Sequence, residues 1–339
     1  MHSKRTTFDF SLIPDDWAQF SIEQAKGVWD LCVPFLRQHG LILFGYPGYR
    51  SAPLPPRSNP RDAFHPSSYE DFVNRLPSPM YPRLTVFTPY YASTYAGIDA
   101  QGRNIFIKVV PQASNEWRIM QYLSKIKHAW NHTIPLLSLL RAGKWIFIIM
   151  PLWDFAWDIP PCDTAGARLR LAKQLVEGLC FMHMHGVAHN DIHDRNILIN
   201  HDNSRPMSLV GFRDSFRCQL AFIDFEFSFR FPKGSRNSVA PAQCMTPPKF
   251  CPPERELYVP TDMFAGDVYS LGRVLQEELE FSKSYLSAKN DCPPPNIEVA
   301  VPAYIALLDR MTAVDPRDRP TALEALQILN SCEEQKQTA

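Results

Sequence analysis

The sequence has no run of like charge: 35 lysine and arginine residues balance 35 aspartate and glutamate residues, for a formal net charge of zero. No basic face is advertised for nucleic acid or anionic lipid, so neither a nucleic-acid nor a membrane partner is expected. No apolar run reaches the roughly 18 residues of a membrane span. The opening MHSKRTTFDFSLIPDDWAQF also lacks the apolar centre of a signal peptide. Eight cysteines (Cys32, Cys162, Cys180, Cys218, Cys244, Cys251, Cys292 and Cys332) are scattered singly, with no C-x-x-C pair and no spacing suited to a disulfide framework or a zinc site. These absences lead to the expectation of a soluble protein with reduced thiols, cytoplasmic or nuclear. No internal repeat is visible.

What is present fits one two-lobed domain of about 250 residues with an appendage. Ser21 and Gln24 stand in capping-box positions, and Ile22, Ala25, Val28, Trp29, Cys32 and Phe35 follow at helical spacing, with Pro34 expected to bend or end the helix. From Pro47 to Pro82 the chain is proline-rich and aperiodic, as an irregular arm would be. Residues 1–80 are therefore read as an N-terminal extension, folded back on a main domain over 81–332, with a short tail at 333–339. Strand-like runs at 84–87, 104–110 and 144–150 surround a helical segment at 115–126, which gives a small β-rich lobe over 81–150. From Asp163 the pattern turns helical: Leu171, Ala172, Leu175, Leu179 and Met182 share a face, and further helices are expected at 265–280, 302–313 and 321–330 within a larger lobe over 151–332.

The chemistry-bearing stretch is AHNDIHDRNILI at 188–199. It offers His189, Asp191 and, five residues on, Asn196 before an apolar strand. A second carboxylate, Asp224, stands at the end of the strand-like AFID at 221–224. Phosphoryl transfer needs little covalent help and much positioning: Mg²⁺ held by a carboxylate and an amide oxygen, a carboxylate for the hydroxyl proton, and a lysine on the phosphates. Asn196, Asp224, Asp191 and Lys108 supply these parts.

On these residues the chain, from about Tyr81 to Ser331, resembles the protein kinase superfamily. Ile105-Phe106-Ile107-Lys108 resembles the family's strand lysine motif, and Glu116 its helix glutamate. His189 to Asn196 resembles the catalytic loop, Asp224-Phe225-Glu226 the D-F-G motif, and Pro252-Pro253-Glu254 the A-P-E motif. The stretch at 267–275 resembles the helix whose aspartate, here Asp267, braces the catalytic loop. The stretch at 311–326 resembles the segment whose arginine, here Arg319, pairs with Glu254. The resemblance implies an α+β, bilobal protein-kinase-like fold, with a five-stranded small lobe and nucleotide near Met150 and Pro151. It also implies ATP and Mg²⁺ as cofactors and a protein substrate or binding partner. Asp191 would be the catalytic base, with His193 a partial stand-in for the loop lysine. Asn196 and Asp224 would be metal ligands, and Lys108, Glu116 and Met150 nucleotide-binding residues.

Four departures from the family pattern bear on activity. The segment TPYYASTYAG at 88–97 has only Gly97 where a glycine-rich phosphate loop belongs, which leaves room for a pseudokinase scaffold with weak or no nucleotide binding. Only eight residues separate Lys108 from Glu116, which puts the glutamate in the first turn of its helix. Asn190 and His193 replace the loop arginine and lysine, and Glu226 replaces the glycine of D-F-G. These last changes are similar to choline kinases and aminoglycoside phosphotransferases, so a small-molecule phosphotransferase is a further alternative. Ser228, Ser235, Ser238 and Thr246 fall in the segment 224–254, read as a solvated loop, with phosphorylation at these hydroxyls as the alternative. HDNSRPMSLVGFRDS, from His201 on, reads as a protruding insertion. His183, His185, His189 and His193 resemble a metal cluster only at first sight, and zinc is not expected.

Overall fold

The computed structural model describes residues 13–45, 87, 89–155, 157–158, 161–162, 164–200, 218–232, 246–257, 261–289 and 301–338. The proline-rich arm, residues 84–86 of the first expected strand, the insertion from His201 on, Ser235 and Ser238 lie outside the described residues. The chain divides into two compact units. Residues 1–117 and 135–153 form the first, and residues 118–134 and 154–339 the second.

The first unit is built on a five-stranded antiparallel sheet. Its strands are β1 (Ile42–Leu43), β2 (Thr94–Ile98), β3 (Asn104–Pro111), β4 (Ser138–Ala142) and β5 (Trp145–Pro151), in the order β1-β2-β3-β5-β4. Side chains alternate between faces along a strand, so the register assigns them. Phe106 stands opposite Met150 and Lys108 opposite Ile148, which puts Lys108 and Met150 on one face. Ile105, Ile107, Val109, Trp145, Phe147 and Ile149 occupy the other face and form a core with helix α1 (Ile22–Gln38).

Helix α1 starts as its sequence dictates. The Ser21 hydroxyl accepts from the Gln24 N–H, and the Gln24 side chain accepts from the Ser21 N–H. Pro34 does not end the helix, which runs on to Gln38. An internal proline costs roughly 3 kcal/mol, but Phe35 and Leu36, just beyond it, are buried with Trp29 and Cys32 against the sheet. Burial of that size, at roughly 1.5–3 kcal/mol per large apolar side chain, outweighs the lost hydrogen bond. Trp29 sits 5.3 Å from the Tyr95 ring and 5.5 Å from Trp17, and its indole N–H donates to the Ala92 carbonyl at 2.8 Å. Burial pushes the Cys32 thiol up to about 12, so it behaves as a packing group. Helix α1 and strand β1, read from sequence as parts of an extension, thus complete the core and the edge of the sheet.

Gly97 has a packing reason. A Cβ there would lie well inside van der Waals contact of the Ile42 carbonyl, so the residue permits the close approach of β1 to β2.

In the second unit, helix α3 (Ala165–Met184) packs on α6 (Ala322–Thr338) and on α4 (Met263–Lys289), and α5 (Pro302–Met311) packs on both α4 and α6. Helix α2 (Glu116–Ser124) begins at the last residues of the first unit's initial stretch. Two small antiparallel ladders, β6 (Val187–Ala188) with β9 (Phe229–Arg230) and β7 (Ile197–Ile199) with β8 (Leu220–Phe222), bracket the stretch 189–196. The architecture is mixed α+β, as the sequence led one to expect.

Candidate functional site

Lys108 lies near the middle of β3, and its ammonium donates to Glu116 Oε1 at 2.8 Å. Glu116 is the first residue of α2 and is almost fully buried. Eight residues therefore suffice for the pair, because the glutamate sits at the very start of its helix. Met150, on the same face of the sheet as Lys108, is buried in β5.

In the second unit, Asp267 on α4 supports the stretch 189–196 from beneath. Its carboxylate accepts the backbone N–H of His189 and that of Asn190, both at 2.7 Å, and lies 3.1 Å from the His183 imidazole. Asn190 takes the left-handed conformation, with φ of 66°, as does Asp224, with φ of 64°. Asparagine and aspartate tolerate that region best among non-glycine residues. His189 is fully buried; it accepts from the Asp191 N–H through Nδ1, so Nε2 carries the proton toward the Ile223 carbonyl at 2.9 Å.

Asn196 donates both amide hydrogens to Asp191, one to the backbone carbonyl at 2.9 Å and one to Oδ2 at 3.1 Å. The Thr246 hydroxyl donates to Asp191 Oδ1 at 2.7 Å. The carboxylate of Asp191 is thereby fixed on both oxygens. Asn196 Oδ1 is left with no donor among the described residues. His193 Nε2 stands 3.7 Å from Asp191 Oδ2, and its ring lies 6.4 Å from that of Phe250 at 24°. Asp224 stands two residues past the end of β8, half-buried, while Phe225 is fully buried 5.0 Å from the His189 ring. Glu226 is exposed.

Farther along, Arg319 forms a two-pronged pair with Glu254 at 2.7 and 2.8 Å. It also donates to the Ala313, Val314 and Ala265 carbonyls.

Sequence reasoning missed three contributors. Thr246 and Ser228 were read as parts of a solvated loop, yet both are buried, Thr246 on Asp191 and Ser228 through its hydroxyl on the His189 carbonyl at 2.9 Å. Arg255, which had no assigned role, donates to the Asn190 backbone carbonyl at 3.1 Å and to its side-chain Oδ1. No local pattern signals any of these contacts, because they join residues 39, 55 and 65 positions apart. Among the described residues, no group of three or more histidine, cysteine, aspartate or glutamate side chains is disposed to hold a metal by itself.

Burial lowers the imidazole pKa of His189 from its ordinary 6.5, although the Asp267, Asp191 and Asp224 carboxylates oppose this. His185 is shifted the same way, by burial and by the neighbouring His128. With the native value depressed, the unfolded chain takes up protons first as pH falls. This contribution to stability is complete above about 6.5 and is lost progressively below it. Thermal unfolding followed from pH 7.5 to 5.5 is expected to show a falling midpoint, with a shallower fall in His189→Gln. An identical slope in that variant would remove His189 as its source.

A model of the protein kinase domain matches residues 91–329. The chain is 22% identical over 279 residues to the serine/threonine-protein kinase MAK of Homo sapiens, covering 72% of this chain and 44% of that protein. It is 26% identical over 187 residues to the dual specificity protein kinase splA of Dictyostelium discoideum, covering 50% of this chain and 7% of that protein. To the serine/threonine-protein kinase chk1 of Schizosaccharomyces pombe it is 25% identical over 167 residues, covering 45% and 30%. The chain spans less than half the length of each of these relatives.

Proposed function

The chain belongs to the protein kinase domain family, and from that premise we propose that it transfers the γ-phosphoryl group of ATP to a serine or threonine hydroxyl of a protein. The observation that carries this reading is the way Asn196 spends both amide hydrogens on Asp191. One residue thereby orients a carboxylate and leaves its own amide oxygen without a hydrogen-bond donor among the described residues, and an oxygen-ligating cation such as Mg²⁺ would take that oxygen.

In this reading Asp191 accepts or orients the proton of the attacking hydroxyl. Its Thr246 and Asn196 contacts keep it from rotating away. Asn196 Oδ1 and the Asp224 carboxylate hold Mg²⁺, and the amide oxygen and carboxylate match that ion's preference for oxygen donors. When bound, the ion neutralises charge on the phosphates. Lys108 engages the nucleotide phosphates, and Glu116 holds its ammonium in place. Met150 contributes apolar surface for the nucleotide base. His193, close to Asp191, supplies a hydrogen bond and, when protonated, a charge.

The scaffold reading draws on a different observation. Among the described residues of the turn before β2, exposed Tyr90 and Tyr91 stand where backbone amides would have to approach phosphate, and Gly97 serves strand packing.

Thermal-shift titration separates the two. Addition of ATP with Mg²⁺ is expected to raise the unfolding midpoint, by about 2.7 kcal/mol of stabilisation at a hundredfold excess over Kd. The shift is expected to be lost in Asp224→Ala and reduced in Lys108→Met. No shift at millimolar nucleotide would favour the scaffold.

A further inference from the structure

We propose that Asn190 and Arg255 are positioning residues that tie the two ends of the segment 224–255 to the catalytic loop, so that Thr246 reaches Asp191. The part of this proposal that concerns catalysis rests on the phosphotransfer reading above.

Asn190 is buried to 1% exposure, and every polar group it carries is engaged. Its backbone N–H donates to Asp267 Oδ1 at 2.7 Å, which fixes it to helix α4. Its side-chain amide donates to the Phe227 carbonyl at 3.1 Å, near the start of the segment. Its backbone carbonyl and side-chain Oδ1 accept from the Arg255 guanidinium, at the end of the segment. One asparagine thus grips both ends, donating to one and accepting from the other. A primary amide can do both at once, its NH2 donating and its oxygen accepting on opposite sides of one short side chain. The left-handed backbone at this position, with φ of 66°, suits asparagine.

Two further contacts fall within the span so anchored. Ser228, one residue past Phe227, donates to the His189 carbonyl, and Thr246 donates to Asp191 Oδ1. Arg255 adjoins Glu254, whose pair with Arg319 secures the far end to the base of the unit. The Thr246 hydroxyl is therefore delivered to Asp191 from a segment clamped on either side of it. The clamp consists of amide and guanidinium hydrogen bonds made by residues already in the chain, so it closes without any added phosphate.

Three substitutions separate the grips. Asn190→Gly removes the amide while accepting the left-handed backbone without strain. Asn190→Asp keeps the acceptor for Arg255 and removes only the donor to Phe227. Arg255→Gln removes the charge-assisted half. Amide hydrogen exchange of the full chain, freed of phosphate by phosphatase, reads the outcome. Peptides covering 225–231 are expected to lose protection in both Asn190 variants, by about tenfold for one lost hydrogen bond. Peptides covering 246–257 are expected to lose it in Asn190→Gly and Arg255→Gln but to keep it in Asn190→Asp. Exchange unchanged in all three, or changed equally at both ends in Asn190→Asp, would overturn the clamp whether or not the protein transfers phosphate.

Kinetics then read the positioning. With casein as a generic acceptor, kcat is expected to fall about tenfold in Arg255→Gln. The KM for ATP is expected to hold, and Arg255→Lys is expected to restore part of the loss. A KM effect without a kcat effect would overturn the positioning role. A wild-type protein inert toward casein, with the exchange pattern as expected, would count against the phosphotransfer reading and leave the clamp standing.

Discussion

Asp191→Asn is expected to lower phosphoryl transfer by about 10²–10⁴ while leaving the fold and nucleotide binding in place. The size follows from removing a positioned proton acceptor, and a thousandfold loss corresponds to about 4 kcal/mol of transition-state stabilisation. The fold is spared because the substitution is isosteric. An amide oxygen at this place still accepts from Thr246, and Asn196 still reaches the Asp191 backbone carbonyl. Single-turnover measurement with saturating ATP and Mg²⁺ isolates the chemical step. A variant that transfers phosphate at the wild-type rate would remove Asp191 from the chemistry. Equal thermal shifts with nucleotide in the two proteins would show that binding was not the quantity changed.

The second large effect concerns stability. The match to the protein kinase domain begins at residue 91, but the sheet of the first unit buries Ile105, Ile107, Val109, Trp145 and Phe147 against a helix that ends at residue 38. A fragment cut to begin at residue 46 would expose that face and lose the edge strand β1. It is expected to express as insoluble material, or with its sheet unfolded by circular dichroism. The graded version is Trp29→Ala, expected to cost about 3–5 kcal/mol in urea unfolding because it opens a cavity among Trp17, Tyr95 and Phe147. It also leaves the Ala92 carbonyl without its indole donor. A soluble, fully folded fragment from residue 46 would show that α1 only rests on the sheet.

The site was legible where its signals were local. The Ser21–Gln24 capping box and the strand carrying Lys108 are short-range patterns, and both elements form where the sequence placed them; Asp191 and Asn196, five residues apart, are hydrogen-bonded to each other. The pairing of Lys108 with Glu116, implied by the family resemblance although the short spacing departs from the family pattern, is present as well. Partners far apart in sequence were not legible. Nothing in Ile42–Leu43 marks a strand: two residues carry no periodicity, and β1 exists only because β2 offers it an edge. Gly97 looked like the remnant of a phosphate loop, and its neighbour proved to be the Ile42 carbonyl. The helix expected over 265–280 continues to Lys289, and the one expected over 321–330 continues to Thr338, where the sequence carries no stop signal. Thr246 and Arg255 could have been found only by knowing which backbone they would meet.

The pairing of β1 with β2 has a kinetic side. Leu43 comes to lie beside Gly97 only after roughly 50 residues of intervening chain have been gathered in, whereas β2 and β3 meet across the short turn at Asp99–Arg103. Closing the longer span costs about 2 kcal/mol more in chain entropy than closing the five-residue turn at Asp99–Arg103, since the cost grows with the logarithm of length. Contacts that distant form late. The hairpin of β2 and β3 is therefore the natural seed of this sheet, and its first strand in sequence is the last to be laid down.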